Sequence, residues 1–227
     1  MRSTITLTAA DGTSIPAYVA IPVGTPKGGL VLLQEIFGIN AHIRAVADGY
    51  AADGYLVVAP ALFARVEPGV ELGYTKDEVA RGVALKAQAE ALPTPGPLLE
   101  VQAAIDHARS AGRVAVMGYC WGGWLSWRAA AQLPGLAAAV CYYGGGMTTP
   151  AEAARVPACP VLAHFGEEDH AIPLDTVRAF QAAQPAVEVQ LYPAQHGFNC
   201  DHRGAYNAEA AVLARQRTLA FLQLHVG

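Results

Sequence analysis

Five short, largely apolar runs recur along the chain, at Gly29–Leu33, Leu56–Ala59, Val114–Gly118, Ala137–Tyr143 and Val161–Phe165. A strand with one wet face alternates apolar and polar residues, whereas a strand apolar throughout must be covered on both faces, the condition met by a parallel sheet between layers of helix. The intervening segments supply that cover. Ala41–Ala52, Lys76–Leu92, Leu98–Ser110, Trp121–Gln132, Leu174–Gln184 and Tyr206–Leu224 repeat apolar residues at three- and four-residue spacing, as amphipathic helices do. An α/β fold with a mostly parallel, doubly wound sheet is expected. A composition of 53% hydrophobic against 15% charged residues can fill its core.

Two alternating runs, Ser3–Thr8 and Ser14–Ala20, flank Asp11-Gly12 and predict an antiparallel hairpin at the start. Val187–Tyr192 reads as a last strand. The cluster Pro93-Thr-Pro-Gly-Pro97 breaks two helices but is too short and too central to separate two cores, so residues 1–227 are expected to form a single domain.

The net charge of -4 is spread along the chain without a basic block, which argues against nucleic acid as a partner. The opening segment has no continuous apolar stretch of the secretory type, and no run approaches about 18 apolar residues, so a soluble, cytoplasmic chain with no membrane partner is expected. No exposed-strand or coiled-coil signal calls for a dimer; a monomer is expected. Cys120, Cys141, Cys159 and Cys200 are too few and too scattered for a disulfide scaffold and form no CxxC pair. His196, Cys200 and His202 spell H-x3-C-x-H, but three donors on one short loop without a fourth match zinc geometry poorly, so neither metal nor organic cofactor is expected.

The chemistry concentrates at Val114-Ala-Val-Met-Gly118-Tyr-Cys120-Trp-Gly122-Gly123, where a buried strand passes straight into a helix. The pattern is the nucleophile elbow G-x-S-x-G with cysteine for serine. Glycines flank such a turn because the backbone comes too close to itself for a Cβ, and the central side chain is left exposed above the sheet. At a helix N-terminus the sulfur of Cys120 lies near the positive end of the dipole, and the Trp121 N–H is free to hold an oxyanion. Taken alone, the glycines could instead serve packing around an inert thiol.

In this fold an acid and then a histidine follow the nucleophile in chain order. Beyond Val161–Phe165 stands Glu167-Glu168-Asp169, where Asp169 is the candidate acid, its alternative being a turn former. Beyond Val187–Tyr192, His196 on a glycine-flanked loop is the candidate base. His42, His107 and His225 fall on helices and are read as surface or packing residues; His164 lies inside a strand, and His170 and His202 are secondary candidates. At the end of the first apolar run, Glu35 either tunes the cysteine or complements the dipole of the following helix, and the Ile36 N–H stands where a second oxyanion donor is expected.

The segments QEIFGIN, GYCWGG, the Asp169 loop and HGFNCDHRGAY together resemble the dienelactone hydrolase family, which includes carboxymethylenebutenolidases, over Leu30 to Leu222. The resemblance implies an α/β-hydrolase fold and a Cys120–His196–Asp169 triad. It further implies that Glu35 holds the thiol in reserve until substrate binds, and that Ile36 and Trp121 hold the oxyanion of a thiol acyl-enzyme. Members that hydrolyse dienelactone bind its carboxylate through two arginines and a tyrosine. Arg81 matches the first arginine, unless it is only an exposed helix charge. Leu85 stands at the tyrosine position and Cys200 at the second arginine's, with Arg203 offering the same charge nearby. The expected substrate is thus a small ester or lactone. A broader carboxylesterase or thioesterase, its pocket lined by Phe37, Trp121, Trp124, Tyr143 and Phe198, is the same-fold alternative; a thiol redox or electrophile-sensing protein is the alternative of another class.

Overall fold

In the computed structural model, which describes residues 1–227, the chain runs β1 (Arg2–Thr8), β2 (Ser14–Ala20), β3 (Gly28–Leu33), α1 (Ala41–Ala52), β4 (Tyr55–Pro60), α2 (Lys76–Glu90), α3 (Leu98–Ala108), β5 (Val114–Tyr119), α4 (Trp121–Gln132), β6 (Ala138–Tyr142), α5 (Pro150–Ala153), β7 (Val161–Gly166), α6 (Leu174–Ala183), β8 (Glu188–Tyr192) and α7 (Ala208–His225). The strands form one sheet in the order β1-β2-β4-β3-β5-β6-β7-β8. The opening hairpin is antiparallel and β2 joins β4 antiparallel, while every pair from β4 to β8 is parallel. All residues of β3 to β7 are buried, as strands covered on both faces must be.

The fold is the doubly wound α/β arrangement expected from the apolar runs, with the α/β-hydrolase layout that the resemblance implied. Helices α1 and α7 share one face, tied by Arg215 to Asp53, and α3, α4 and α6 cover the other, where Trp127 and Phe165 both meet Phe180. A single continuous cluster of buried apolar side chains joins both faces. Truncating a fully buried ring such as Phe165 or Phe180 to alanine is worth about 3–5 kcal/mol. No helix is long and apolar enough to cross a membrane.

Strand boundaries depart from the sequence expectation by at most one residue, and some helix ends by more. Helix α2 stops at Glu90, α3 gives way to a 3-10 turn at Arg109–Ala111, and α7 starts at Ala208, because Asn207 caps it by accepting from the Ala210 N–H at 3.1 Å. Helix α5 was not expected; four residues are too few to show a helical period.

Two features of the sheet set up the site. The chain leaves β3 toward β4 and returns to β5 on the other side of β3, so the carboxyl ends of β3 and β5 flank the point where strand order reverses, the usual location of a crevice. The register then runs Leu33, Gly118, Cys141, Ala163, Val189 straight across five strands. Glu35, Cys120 and Tyr143 each lie two residues beyond that row, so they emerge at the same rim of the sheet.

Candidate active site

Cys120 links β5 to α4 with φ 54° and ψ -114°, a backbone state that costs a residue bearing a Cβ about 1–3 kcal/mol. Hydrogen bonds on either side hold it there: the Cys120 N–H donates to Tyr142 O at 2.9 Å and the Trp124 N–H to Cys120 O at 3.1 Å. The flanking glycines are required sterically. A Cβ on Gly118 would lie 2.2 Å from Gly122 O, and one on Gly122 would lie 2.4 Å from Leu33 O and 2.6 Å from Gln34 O. The second approach also presses the elbow against the end of β3, next to Glu35 and Ile36.

From the thiol an unbroken line of hydrogen bonds runs inward. Cys120 Sγ lies 3.1 Å from His196 Nε2, and His196 Nδ1 lies 2.7 Å from Asp169 Oδ2. A carboxylate only accepts, so Nδ1 carries the proton and Nε2 faces the sulfur. The other oxygen, Asp169 Oδ1, accepts the N–H groups of Ala171 at 2.8 Å and Ile172 at 3.2 Å, which fixes the buried acid. The loops carrying acid and base are clamped together, since a Cβ on Gly166 would lie 2.2 Å from Ala194 O. Burial alone would lower the affinity of His196 for its second proton. The charge on Cys120 and the hydrogen bonds to Asp169 and Cys120 more than reverse that, and its pKa rises to about 10.

The backbone N–H groups of Ile36 and Trp121 make no hydrogen bond within the protein. Beside them Glu35 is buried; its Oε1 accepts from Arg203 Nη1 at 3.2 Å and its Oε2 has no partner. Burial opposes the Arg203 charge, and the neighbouring Glu35 more than restores it, so the guanidinium is held above its ordinary pKa. Gly197 leaves the space Arg203 occupies, for a Cβ there would sit 2.4 Å from Nη1.

Arg81 lies apart from this group. Its guanidinium pairs with Glu67, its side chain is 55% exposed, and no hydrogen bond or ion pair joins it to Glu35, Cys120 or His196. Leu85 is part of the core, and the Cys200 thiol, fully buried, donates to the Tyr74 hydroxyl at 3.3 Å. Tyr143 meets the His196 ring edge-on with 5.1 Å between centroids, and Phe198 follows at 5.3 Å from Tyr143. Phe37, Tyr143 and Phe198 are all buried, Tyr143 beside His196 and Phe37 against Tyr74 and the Arg203 guanidinium. Trp121 stacks on Phe63 and donates to Glu90, and Trp124 lies under the Arg128 guanidinium.

His42, taken for a surface or packing residue, is buried with its Nδ1 3.2 Å from Asp201 Oδ1 and its Nε2 unpartnered. Asn40, which caps α1 by accepting from the Ile43 N–H, places His42 in the first turn, and helical side chains lean toward the N-terminus, here toward the end of β3. That spacing was visible in the sequence. Tyr143 has φ 37°, a strained state no local pattern announced. His164, by contrast, is structural: it bonds Tyr192 and Thr218, and burial together with Arg217 lowers its pKa to about 3.

The model of the dienelactone hydrolase family matches residues 15–226. The chain belongs to the dienelactone hydrolase family. A carboxymethylenebutenolidase of Pseudomonas putida is 34% identical over 226 residues, covering 96% of this chain and 94% of its own. A crystal structure from Klebsiella pneumoniae, whose assignment as a dienelactone hydrolase is provisional, superposes with a TM-score of 0.83 at 31% identity, covering 97% of both chains. An esterase of Pyrococcus furiosus, at 15% identity and TM-score 0.71 over 100% of this chain and 94% of its own, shares the fold. The family places the protein among hydrolases of ester or lactone bonds.

Proposed function

We propose that this hydrolase opens a small ester or lactone through an acyl-enzyme on Cys120. The observation that carries the reading is the line from Asp169 through His196 to Cys120, with contacts of 2.7 and 3.1 Å. The sulfur attacks the carbonyl carbon while the Ile36 and Trp121 N–H groups receive the developing oxyanion. His196 then protonates the departing alkoxide, which in a lactone stays tethered to the acyl group.

The same geometry explains how one histidine serves both halves of the cycle. The charge on Cys120 is the leading influence that raises the His196 pKa, and forming the thioester removes it. Acylation thus lets the imidazole release its proton and act as the base that activates water, with Asp169 holding the ring. Glu35, buried with a free oxygen, is assigned to tuning the thiol. Arg203 is assigned to an acidic group on the substrate, which would compete with Glu35 for the guanidinium and release the carboxylate; Arg81 would have to leave Glu67 to contribute. A cytoplasmic monomer that uses no metal or organic cofactor in the chemical step completes the proposal.

The test is kcat/KM on a dienelactone beside an uncharged ester of similar size, with intact-mass detection of the acyl-enzyme and Cys120→Ala as control. Preference for the dienelactone supports Arg203 as the anion site. Preference for the neutral ester, which the pairing of Arg81 with Glu67 favours, keeps the mechanism and gives the broader esterase. No adduct with any ester would sink the acyl-enzyme and turn attention to thiol redox chemistry.

A further inference from the structure

We propose that Glu35, His42 and Cys200 form a binding site for a zinc ion, alongside the triad and separate from it. Their ligand atoms lie within 4.8 Å of one another and all three side chains are buried. The H-x3-C-x-H run read in the sequence divides in the fold. His196 is committed to Cys120 and Asp169, whereas Cys200 meets a strand end and a helix distant in the chain.

Two of the three donors have an atom without a hydrogen bond, Glu35 Oε2 and His42 Nε2. A buried polar atom left unpaired is costly, so a pair of them converging with a thiol calls for a ligand that accepts electron pairs. Each donor is also steadied from outside. Asp201 takes His42 Nδ1 at 3.2 Å and so leaves Nε2 as the coordinating atom, the carboxylate–histidine–metal arrangement. Arg203 holds Glu35 Oε1 and leaves Oε2 free, while Tyr74, itself hydrogen-bonded by Asn40 at 3.1 Å, holds the Cys200 sulfur.

A sulfur, an imidazole and a carboxylate favour zinc over magnesium or calcium, which prefer oxygen throughout. Bonds of about 2.0–2.3 Å to a tetrahedral ion put ligand atoms about 3.3–3.7 Å apart, so the donors draw in by about 1 Å. Zinc–sulfur bond formation sends the Cys200 proton to solvent, and a water fills the fourth position. With Asp201 and Arg203 included, the charges of the loaded site cancel. The route in is present: His42 and Asp201 line a surface cleft of about 260 Å³, and exposed Asp201 and His202 form a second donor group with His42.

The experiment titrates the reduced, metal-stripped full chain with Co²⁺ as the spectroscopic probe and then displaces it with Zn²⁺. One equivalent is expected, with tetrahedral bands and a sulfur-to-cobalt charge-transfer band. The band persists in Cys120→Ala and is lost in Cys200→Ala. Zinc affinity falls more than about 100-fold in His42→Ala, and about 10–100-fold in Asp201→Ala, which removes an outer partner. Zinc-edge absorption of the Cys120→Ala protein, which leaves Cys200 in place, should find one sulfur at about 2.3 Å. A band lost with Cys120 and kept without Cys200, affinity indifferent to His42, or a zinc shell lacking sulfur in Cys120→Ala overturns the site. Glu35 is shared with the proposed hydrolysis, but these readouts involve no turnover, so the two ideas fail separately.

Discussion

His196 and His42 each give Nδ1 to an aspartate, at 2.7 and 3.2 Å, yet their protonation moves in opposite directions. Burial disfavours the charged ring in both. At His196 the Cys120 charge and a fully buried Asp169 overcome it, and the pKa rises to about 10. At His42 burial prevails over Glu35 and Asp201 and the pKa is lowered; Asp201 is 63% exposed, so water screens much of its charge. The residue pair is the same, and the burial of the carboxylate with the nature of the third group decides its behaviour. One pair ends on the Cys120 thiol, the other on a nitrogen without a partner.

The sharpest way to break this comparison is to remove the third group. Cys120→Ala and His196→Ala should each lower kcat/KM on an accepted ester by about four orders of magnitude or more, with an unchanged circular dichroism spectrum. Substantial activity in the Cys120→Ala protein would end the nucleophile assignment. Next come the acids: Asp169→Asn is expected to reduce kcat by about 10³–10⁴, whereas Asp201→Asn, in metal-free buffer, changes it less than about threefold. Equal losses would show that carboxylate burial is not what separates the pairs.

Proton affinity gives a third test. The His196 midpoint, followed by NMR, should lie near 10 in the wild type and fall in Cys120→Ala, where the raising charge is gone. Because the folded value exceeds the ordinary 6.5, the stabilisation from protonated His196 is full below about pH 6.5 and is lost as pH climbs through about 10. A midpoint unmoved by the cysteine change would assign the shift to Asp169 instead. Arg203→Ala leaves a buried Glu35 oxygen without its partner and should lower stability to urea by about 1.5–3 kcal/mol, partly recovered in Arg203→Lys. The smallest effect is expected at Cys141, buried in β6 with burial pushing its thiol up: Cys141→Ser should alter kcat by less than about twofold.

Much of the site could be read in the chain because its requirements are local. Gly118 and Gly122 are demanded by Cβ approaches under 2.5 Å at the elbow itself, and Asp169 follows a largely apolar run while His196 follows an alternating one, Val187–Tyr192. Arg81 shows where such reading stops. Its place on α2 was legible, but its direction depends on Glu67, in a loop 14 residues earlier that has no periodic pattern. Tyr143 reaches its strained turn because its N–H is held by His164 O on the neighbouring strand, a constraint from pairing that leaves no local trace.

By itself, then, the sequence determined the α/β layering and the elbow, which follow from periodicity and from glycine at a turn, and it placed Cys120, Asp169 and His196 each just beyond a strand. Tertiary structure alone decided that Glu35 meets Arg203 across 168 positions and that His42 finds Asp201 across 159, with Cys200 beside them. Those meetings depend on strand register and on where a helix lands, which are fixed by the packing of the whole sheet rather than by any segment of it.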